Sequence, residues 1–376
     1  MKIVRDSLLE GAILKAVSKY KLFKIVVLIN ESCEEKYKDI IERLNQEVKD
    51  VAVVKFPDNL KEENLASALI LNSLTEDVGC IVNFCDSFIL RIAINCCDNL
   101  KIFTVLTEPD INVFLLKPNY LIIADNVILS CNKKTIANSY GKLCSLMFYL
   151  VEQVFTCVVL EQKENNKNLL ILDELMQKLT LIPSAVLKSN LGKMKLLDFC
   201  VEISGVLSHE KFDNCYVKTL SKTIAKVCSC NSLLEGELLM LSSVIFLKEI
   251  DVLLTANNLM YVGYNSYCRI KNYKQIFASA KLGDIYNSFC ADGNVDLYIS
   301  NFFNIKNELI IVFNQYKMQF EKMLNCFNFM YFDRGYKLGK SISKQSLLLS
   351  VNLVPENYKV ASYATFIRAV GLLNKL

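Results

Sequence analysis

The stretch VGCIVNFCDSFILRIAIN, Val78–Asn95, decides how the first half of this chain is read. A short apolar run, Cys80–Phe84, has the length and the Val/Ile content of a strand covered on both faces. It enters a turn, Cys85-Asp86-Ser87, and then an amphipathic pattern carried by Ile89, Ile92 and Ala93, which predicts a helix. A strand, a turn and a helix in this order are the setting in which bare backbone N–H groups receive a phosphate. Such turns use glycine so that the main chain can come close to the phosphate oxygens. Here no glycine follows Gly79 before the helix, and the turn carries a carboxylate, Asp86, and a bulky ring, Phe88. The frame of a phosphate turn is present without its glycines.

Four more apolar runs surround this one: KIVVLIN (Lys24–Asn30), VAVVKF (Val51–Phe56), KIFTVL (Lys101–Leu106) and YLIIAD (Tyr120–Asp125). Amphipathic stretches such as CEEKYKDIIERLNQEV separate them. Strand–helix alternation at this spacing predicts a parallel sheet with right-handed crossovers, a Rossmann-like α/β domain. Ligands of such sheets sit at the carboxyl ends of the strands, so Asn30, Cys85–Phe88 and Thr107–Asn112 are expected to line one crevice. The polar segment EQKENNKN, Glu161–Asn168, marks a change to helical periodicity. The expected domains are an α/β domain at 1–162 and an all-helical domain at 163–376, with the crevice between them.

The bulk numbers exclude several classes. At 376 residues, 52% hydrophobic and 22% charged, the chain buries large cores and is not a disordered polymer. A net charge of +4, with no basic stripe, argues against nucleic-acid binding. The N-terminus has no signal-peptide layout, and the most apolar run, Leu143–Leu160, is interrupted at its middle by Glu152 and Gln153. That run reads as a buried helix, so the expectation is a soluble, cytoplasmic protein with no membrane partner. Fifteen cysteines without a Cys-x-x-Cys pair read as reduced, buried small hydrophobes, not as a zinc site.

Several stretches, in order, resemble the dehydroquinate synthase-like superfamily that includes the iron-containing alcohol dehydrogenases, with the nearest look to the sn-glycerol-1-phosphate dehydrogenase family. KIVVLINESCEEKYKDIIERL is similar to the family's first strand, turn and helix. IFTVLTEPDIN resembles its Thr-Ala-Pro-Ser-x-Asp segment, matching at Thr107 and Pro109, with Asp110 at the Ser and Asn112 at the Asp. KPNYLIIADNVILS, SYGKLCSLMFYLVEQ and YATFIRAVGLLNKL are similar to its Ala-Asp-x-x-Ile-Leu strand end, Phe-Gly-Asp helix and closing helix. The resemblance implies an α/β domain followed by a helical one, and NAD(P)-dependent, metal-dependent oxidoreduction.

The residues at the implied positions depart from the pattern. The family's Gly-rich dinucleotide loop falls on Phe84–Leu90, and its following Asp and Lys fall near Arg91 and Ile94. Its metal is held by one Asp and two His; the Asp position carries Lys142, and the only histidine of the chain is His209, expected at a surface or helix end. The gap between Thr107–Asn112 and the next strand is too short for the family's covering hairpin. With one histidine, no Ser–His–Asp or Cys–His arrangement is available.

Three functional readings follow. The first is a degenerate relative that has lost the metal and dinucleotide sites and acts through binding or assembly, with no cofactor and no metal. The second is an NAD(P)-dependent oxidoreductase with a rebuilt site, in which Asn30, Ser87, Thr107 and Asn112 would hold the nucleotide. The third is a distinct enzyme or small-molecule binder on the same frame that uses Lys142 and Lys271, as crevice or catalytic candidates, to hold an anion, although the plain reading of both lysines is solvated helix surface. A protein partner or a homo-oligomer is compatible with the first. Within the opening turn, Asp86 is expected to repel phosphate or to cap the following helix, and Phe88 to pack on the sheet or toward the second domain.

Overall fold

The computed structural model describes residues 1–58, 60, 62–161, 166–228, 233–260, 295–331, 342, 346–347, 350–351, 354 and 363–370. Contacts divide the chain into two compact units, Met1–Ser139 with Ile182–His209, and Tyr140–Leu181 with Glu210–Leu376. This is not the expected border at 162/163.

The first unit holds one six-stranded parallel sheet, built from β1 (Lys2–Asp6), β2 (Lys24–Asn30), β3 (Asp50–Phe56), β4 (Val78–Asn83), β5 (Lys101–Val105) and β6 (Tyr120–Ala124), in the order β1-β6-β5-β4-β2-β3. Five of these strands are the apolar runs read from the sequence. The sixth, β1, was not: KIVRD sets two apolar residues between charged ones and pairs with β6 alone, and three of its five residues are exposed. Central β2 shows why a continuous apolar run becomes an interior strand. Ile25 through Ile29 are all fully buried, so every residue faces a covered side. Each such Val or Ile contributes about 1.5–3 kcal/mol relative to exposure.

Helices α1 (Leu9–Val17) and α2 (Glu34–Glu47) cover one face with Leu9, Ala12, Ile13, Tyr37 and Leu44, packed on Ile25, Val27, Val82, Phe103 and Ile122. Around the sheet also run α3 (Glu63–Ser73), α4 (Ser87–Cys96), α5 (Ile111–Leu116) and α6 (Asp125–Ser130). α7 (Lys133–Cys144) carries the chain into the second unit. Helices α10 (Ser184–Leu187) and α11 (Asn190–Val206) come back, because α11 packs on α5 and α6. Lys193 Nζ donates to the Leu129 carbonyl at 2.5 Å, and the Cys200 thiol to the Pro109 carbonyl at 3.6 Å. Helical periodicity after residue 168 therefore marks a change of element type, and the border between units lies elsewhere.

Every other element of the second unit is helical among its described residues: α8 (Leu146–Val158), α9 (Asn166–Thr180), α12 (His209–Asp213), α13 (Tyr216–Val227), α14 (Glu235–Thr255), α15 (Val295–Asn304), α16 (Lys306–Tyr331) and α17 (Tyr363–Ala369). The membrane-like run becomes the core helix α8. Of the most apolar window in Lys133–Val158, 78% is buried. Its rings interlock with those of α14, α16 and α17: Phe148 lies 5.6 Å from Phe246 and 4.6 Å from Phe320, and Phe155 5.2 Å from Tyr363. The segment YVGYNSY and Lys271 lie outside the described residues.

Candidate functional site

Strand order reverses at β2, which is followed in sequence by β3 on one side and bordered by β4 on the other. In open parallel sheets the carboxyl ends at such a reversal form the ligand crevice. Asn30 ends β2, Ser87 opens α4 after β4, and Thr107 and Asn112 follow β5. The three strands are neighbours, so the topology brings all four residues to one edge. Asn30, Ser87 and Thr107 are half-buried and Asn112 is buried.

What those turns do with their backbone donors sets the chemistry of this edge. After β4, the fully buried Asn83 accepts from the Cys85 N–H through Oδ1 at 3.2 Å and donates to the Cys85 carbonyl at 3.4 Å. Asp86 caps α4: its Oδ1 accepts from the N–H groups of Phe88 at 3.0 Å and Ile89 at 3.1 Å. After β2, Asp58 Oδ1 accepts from the Ser32 N–H at 3.2 Å and its hydroxyl at 2.7 Å. After β5, the buried Asp110 caps α5 by accepting from the Asn112 N–H at 3.0 Å. Short Asx side chains favour the closures at Asn83, Asp86 and Asp110 because the carboxylate or amide reaches a donor two or three residues on, whereas Asp58 comes to Ser32 from the turn after β3. The donors at the start of α4 that would receive a pyrophosphate already hold a carboxylate.

Charge and burial reinforce this. Burial pushes the Cys85 thiol well above its ordinary range, and the charges of Asp86 and Asp58 push it further, which places both acids around that turn. The Cys131 thiol, donating to the Thr107 carbonyl at 3.3 Å, is raised to about 11 by burial and by Glu108. Of the two expectations for Asp86, the cap is realised. Phe88 departs from expectation: its ring is half-buried, with the Arg91 guanidinium 5.7 Å from the ring centre, and Arg91 in turn pairs with Glu63. Gly79 is a packing glycine, since a Cβ there would come within 2.6 Å of Phe23. From α5 the chain turns at Lys117 (φ 51°) and enters β6 three residues later, without a hairpin.

Replacing Asp86 by Ala should cost about 1 kcal/mol through the lost cap, whereas Asp86→Asn, an equally good cap, should be nearly neutral. Urea denaturation of the two variants separates the cap from the charge.

The second unit holds the position at which the resemblance placed a metal-binding Asp. Lys142 there is not on solvated surface, because it is only 4% exposed. Its Nζ lies 3.2 Å from Glu235 Oε2, and Lys218, 5% exposed, pairs with Oε1 of the same carboxylate. Glycine makes this possible. A Cβ on Gly141 would lie 2.7 Å from the Gly236 carbonyl, so α7 and α14 touch backbone to backbone just where Lys142 meets Glu235. Burial alone would raise the Glu235 carboxyl, but the ammonium of Lys218 and then that of Lys142 override it and hold it well below the carboxylate range. A divalent cation placed here would face two ammonium groups, so these residues do not fit the metal that the resemblance implies. Among the described residues no three His, Cys, Asp or Glu side chains come together as a ligand set. His209 begins α12 and is half-buried.

A second buried polar cluster carries no signal in the sequence beyond the odd placement of Glu152 in an apolar run. Glu152 Oε2 accepts from the Tyr216 N–H at 2.6 Å and thereby caps α13 from a neighbouring helix. The Tyr216 hydroxyl donates to Glu249 Oε1 at 2.6 Å. Glu249 Oε2 and the Tyr363 hydroxyl are buried with no hydrogen-bond partner among the described residues. Burial raises both carboxyls to about 8, more than the Tyr216 hydrogen bonds lower them.

No family model matches the sequence, and no curated protein matches it. Solved structures do. The chain is similar to a mutant of an archaeal halo-thermophilic Red Sea brine pool alcohol dehydrogenase (10% identity, TM-score 0.58), with 100% of this chain and 96% of that chain covered. It is similar to the NADH-dependent butanol dehydrogenase A of Thermotoga maritima (13%, TM-score 0.56; 99% and 96% covered). An iron-containing alcohol dehydrogenase from Corynebacterium glutamicum gives 10% and TM-score 0.55, with 100% and 94% covered. The chain has the dehydroquinate synthase-like fold of the iron-containing alcohol dehydrogenases. At these identities the likeness is one of fold.

Proposed function

We propose that this protein is a degenerate relative of the glycerol-1-phosphate dehydrogenases that works by binding or assembly, without dinucleotide or metal. The observation that carries the reading is the turn after β4, where Asp86 occupies the N–H groups of Phe88 and Ile89. A pyrophosphate would have to displace a tethered carboxylate and then sit beside it, and like charges in a half-buried turn repel. The ammonium of Lys142, paired with Glu235, supports the same reading for the metal. Its ligand is a small anion or a protein partner, its place the cytoplasm, and self-association is compatible with it.

The alternative, an NAD(P)-dependent oxidoreductase with a rebuilt site, draws support from Asn30, Ser87, Thr107 and Asn112 sharing one edge. Titration of the protein with NADH and NADPH by calorimetry separates the two. No saturable binding is expected, and a micromolar dissociation constant would put the oxidoreductase first. The double substitution Asp86→Gly with Phe88→Gly should lower stability by about 1 kcal/mol, mostly through glycine in the first turn of a helix, and create no dehydrogenase activity.

A further inference from the structure

We propose that β1 is the docking edge for a second copy of this chain, which joins two molecules by antiparallel pairing of Lys2–Asp6 with itself around a two-fold axis at Val4. This partner is the one that the assembly reading above leaves open, and the pairing rests on that reading.

β1 ends the sheet, and its one strand partner among the described residues is β6. The Lys2 N–H donates to the Asn119 carbonyl at 2.9 Å, so the backbone of Lys2, Val4 and Asp6 turns toward β6. Main-chain groups alternate in direction along a strand, which leaves those of Ile3 and Arg5 facing outward. An open edge of this kind is a template for another strand, and short length and charged side chains guard it against chance partners. The charges of KIVRD exclude most strands and match one, its own copy. Met1 and Ile3, 46% and 41% exposed, add apolar surface to the same edge.

Pairing of a strand with its own copy is isologous, and here the outward groups of Ile3 and Arg5 must do the bonding. With the axis at Val4, Ile3 and Arg5 exchange hydrogen bonds with Arg5 and Ile3 of the second copy. The pairs between these bonds, where side chains come closest, are then Val4 with Val4 and, twice over, Lys2 with Asp6. An axis at Ile3 would set Lys2 against Val4, and one at Arg5 would set guanidinium against guanidinium. The charge pattern selects one register. Neither Lys2 nor Asp6 forms an ion pair among the described residues. Lys2 Nζ lies 6.0 Å from the centre of the Tyr120 ring, and Asp6 Oδ1 accepts from the Ser7 hydroxyl at 3.3 Å and the Leu8 N–H at 3.4 Å. Arg5 keeps its own partner, Asp125, at 3.1 Å, and its stem can lie along Ile3 of the second copy. The far edge, β3, offers no such match. A strand paired with itself brings together residues an even number apart, whereas Asp50 and Lys55 are an odd number apart and already pair with Lys24 and Glu34. A five-residue strand pair is short, so the dimer belongs to the weak, concentration-dependent class.

Sedimentation of the full chain at concentrations from about 1 to about 100 µM is the test, and a monomer–dimer equilibrium is expected within that range. Ile3→Pro removes an outward N–H that β6 does not use, so it should abolish the dimer and leave the melting temperature of the dilute protein unchanged. Lys2→Glu and Asp6→Lys each set like charges opposite each other at two places, and each variant alone should dimerise at least about tenfold more weakly. Mixed together, the two variants restore both opposite-charge pairs, and a heterodimer should form about as well as the wild-type dimer. Val53→Glu, at an exposed position of β3, should leave the equilibrium as it is. A chain that stays monomeric throughout the range overturns the proposal, as does a dimer that survives Ile3→Pro or a loss in the charge variants that mixing does not recover. If Ile3→Pro does not fold, the mixing experiment decides alone. An NADH titration on the same preparation keeps the two readings apart: the non-catalytic reading fails on saturable NADH binding, the dimer on sedimentation as a monomer.

Discussion

Raising the pH from about 5 to about 9 should lower the stability of this protein markedly, the reverse of the usual carboxylate trend. Glu152 and Glu249 lie in the aromatic core of the helical unit, and burial raises both to about 8. In the unfolded chain each returns to about 4.3. Below that value both states are protonated and the contribution is fully present. Between the two values the folded protein holds protons that the unfolded chain has released, so stability falls by up to about 1.4 kcal/mol per pH unit for each carboxyl. Above the folded value the loss is complete. Glu235 has the opposite sign: its carboxyl is held low by Lys218 and Lys142, so its contribution is present at neutral pH and lost in acid. Together they place the optimum in mildly acidic solution. Urea denaturation at a series of pH values measures the slope, and Glu249→Gln should flatten it. A slope that is flat or positive between pH 5 and 8 would show that the two carboxyls are ionised in the folded protein.

Placing an aspartate where the resemblance expects a metal ligand, by Lys142→Asp, should cost about 3 kcal/mol or more and bind no metal. The substitution removes one of the two ammoniums that hold Glu235, and loss of a partner from a buried ion pair typically costs about 3–5 kcal/mol. It also sets a second carboxylate beside the first. For a unit of this size the melting temperature should drop by on the order of 10 °C. A divalent cation gains no histidine from the change, since the chain's single one, His209, begins α12. Thermal melts with and without zinc check both halves. Zinc-dependent stabilisation of the variant beyond that of the wild type would show that a usable ligand set surrounds position 142 after all.

The parallel sheet was legible because interior strands are covered on both faces, and β2, β4, β5 and β6 announce themselves as apolar runs; β3, at the other edge, is half exposed but still carries the Val-rich run VAVV. The cap at Asp86 was legible for a related reason: an Asx side chain reaches its own following N–H groups without help from distant chain. β1 escaped, because an edge strand that faces water on one side carries Lys2, Arg5 and Asp6 and has no periodic apolar signature. Phe88 escaped too. A ring at the start of a helix can turn inward or lie along its own helix, and the guanidinium three residues on, at Arg91, favours the second.

Distance along the chain separates what the sequence by itself determined from what the tertiary structure decided. The sequence determined the sheet, the helical character of the later described elements, the absence of glycines from the turn after β4 and the scarcity of histidine. All of these depend on residue identity or on neighbours within a few positions. Only the fold could decide that residues 182–209 return to the α/β unit, since that rests on α11 finding α5 and α6. Only the fold could decide that Lys142 is buried. A lysine reads as surface because its isolated charge is costly to desolvate, and the carboxylate that offsets the cost, Glu235, lies more than ninety positions away. The same holds for Glu152 and Glu249, whose carboxyls are joined through Tyr216 from three different helices. Each is an ordinary charged residue until packing removes the water around it.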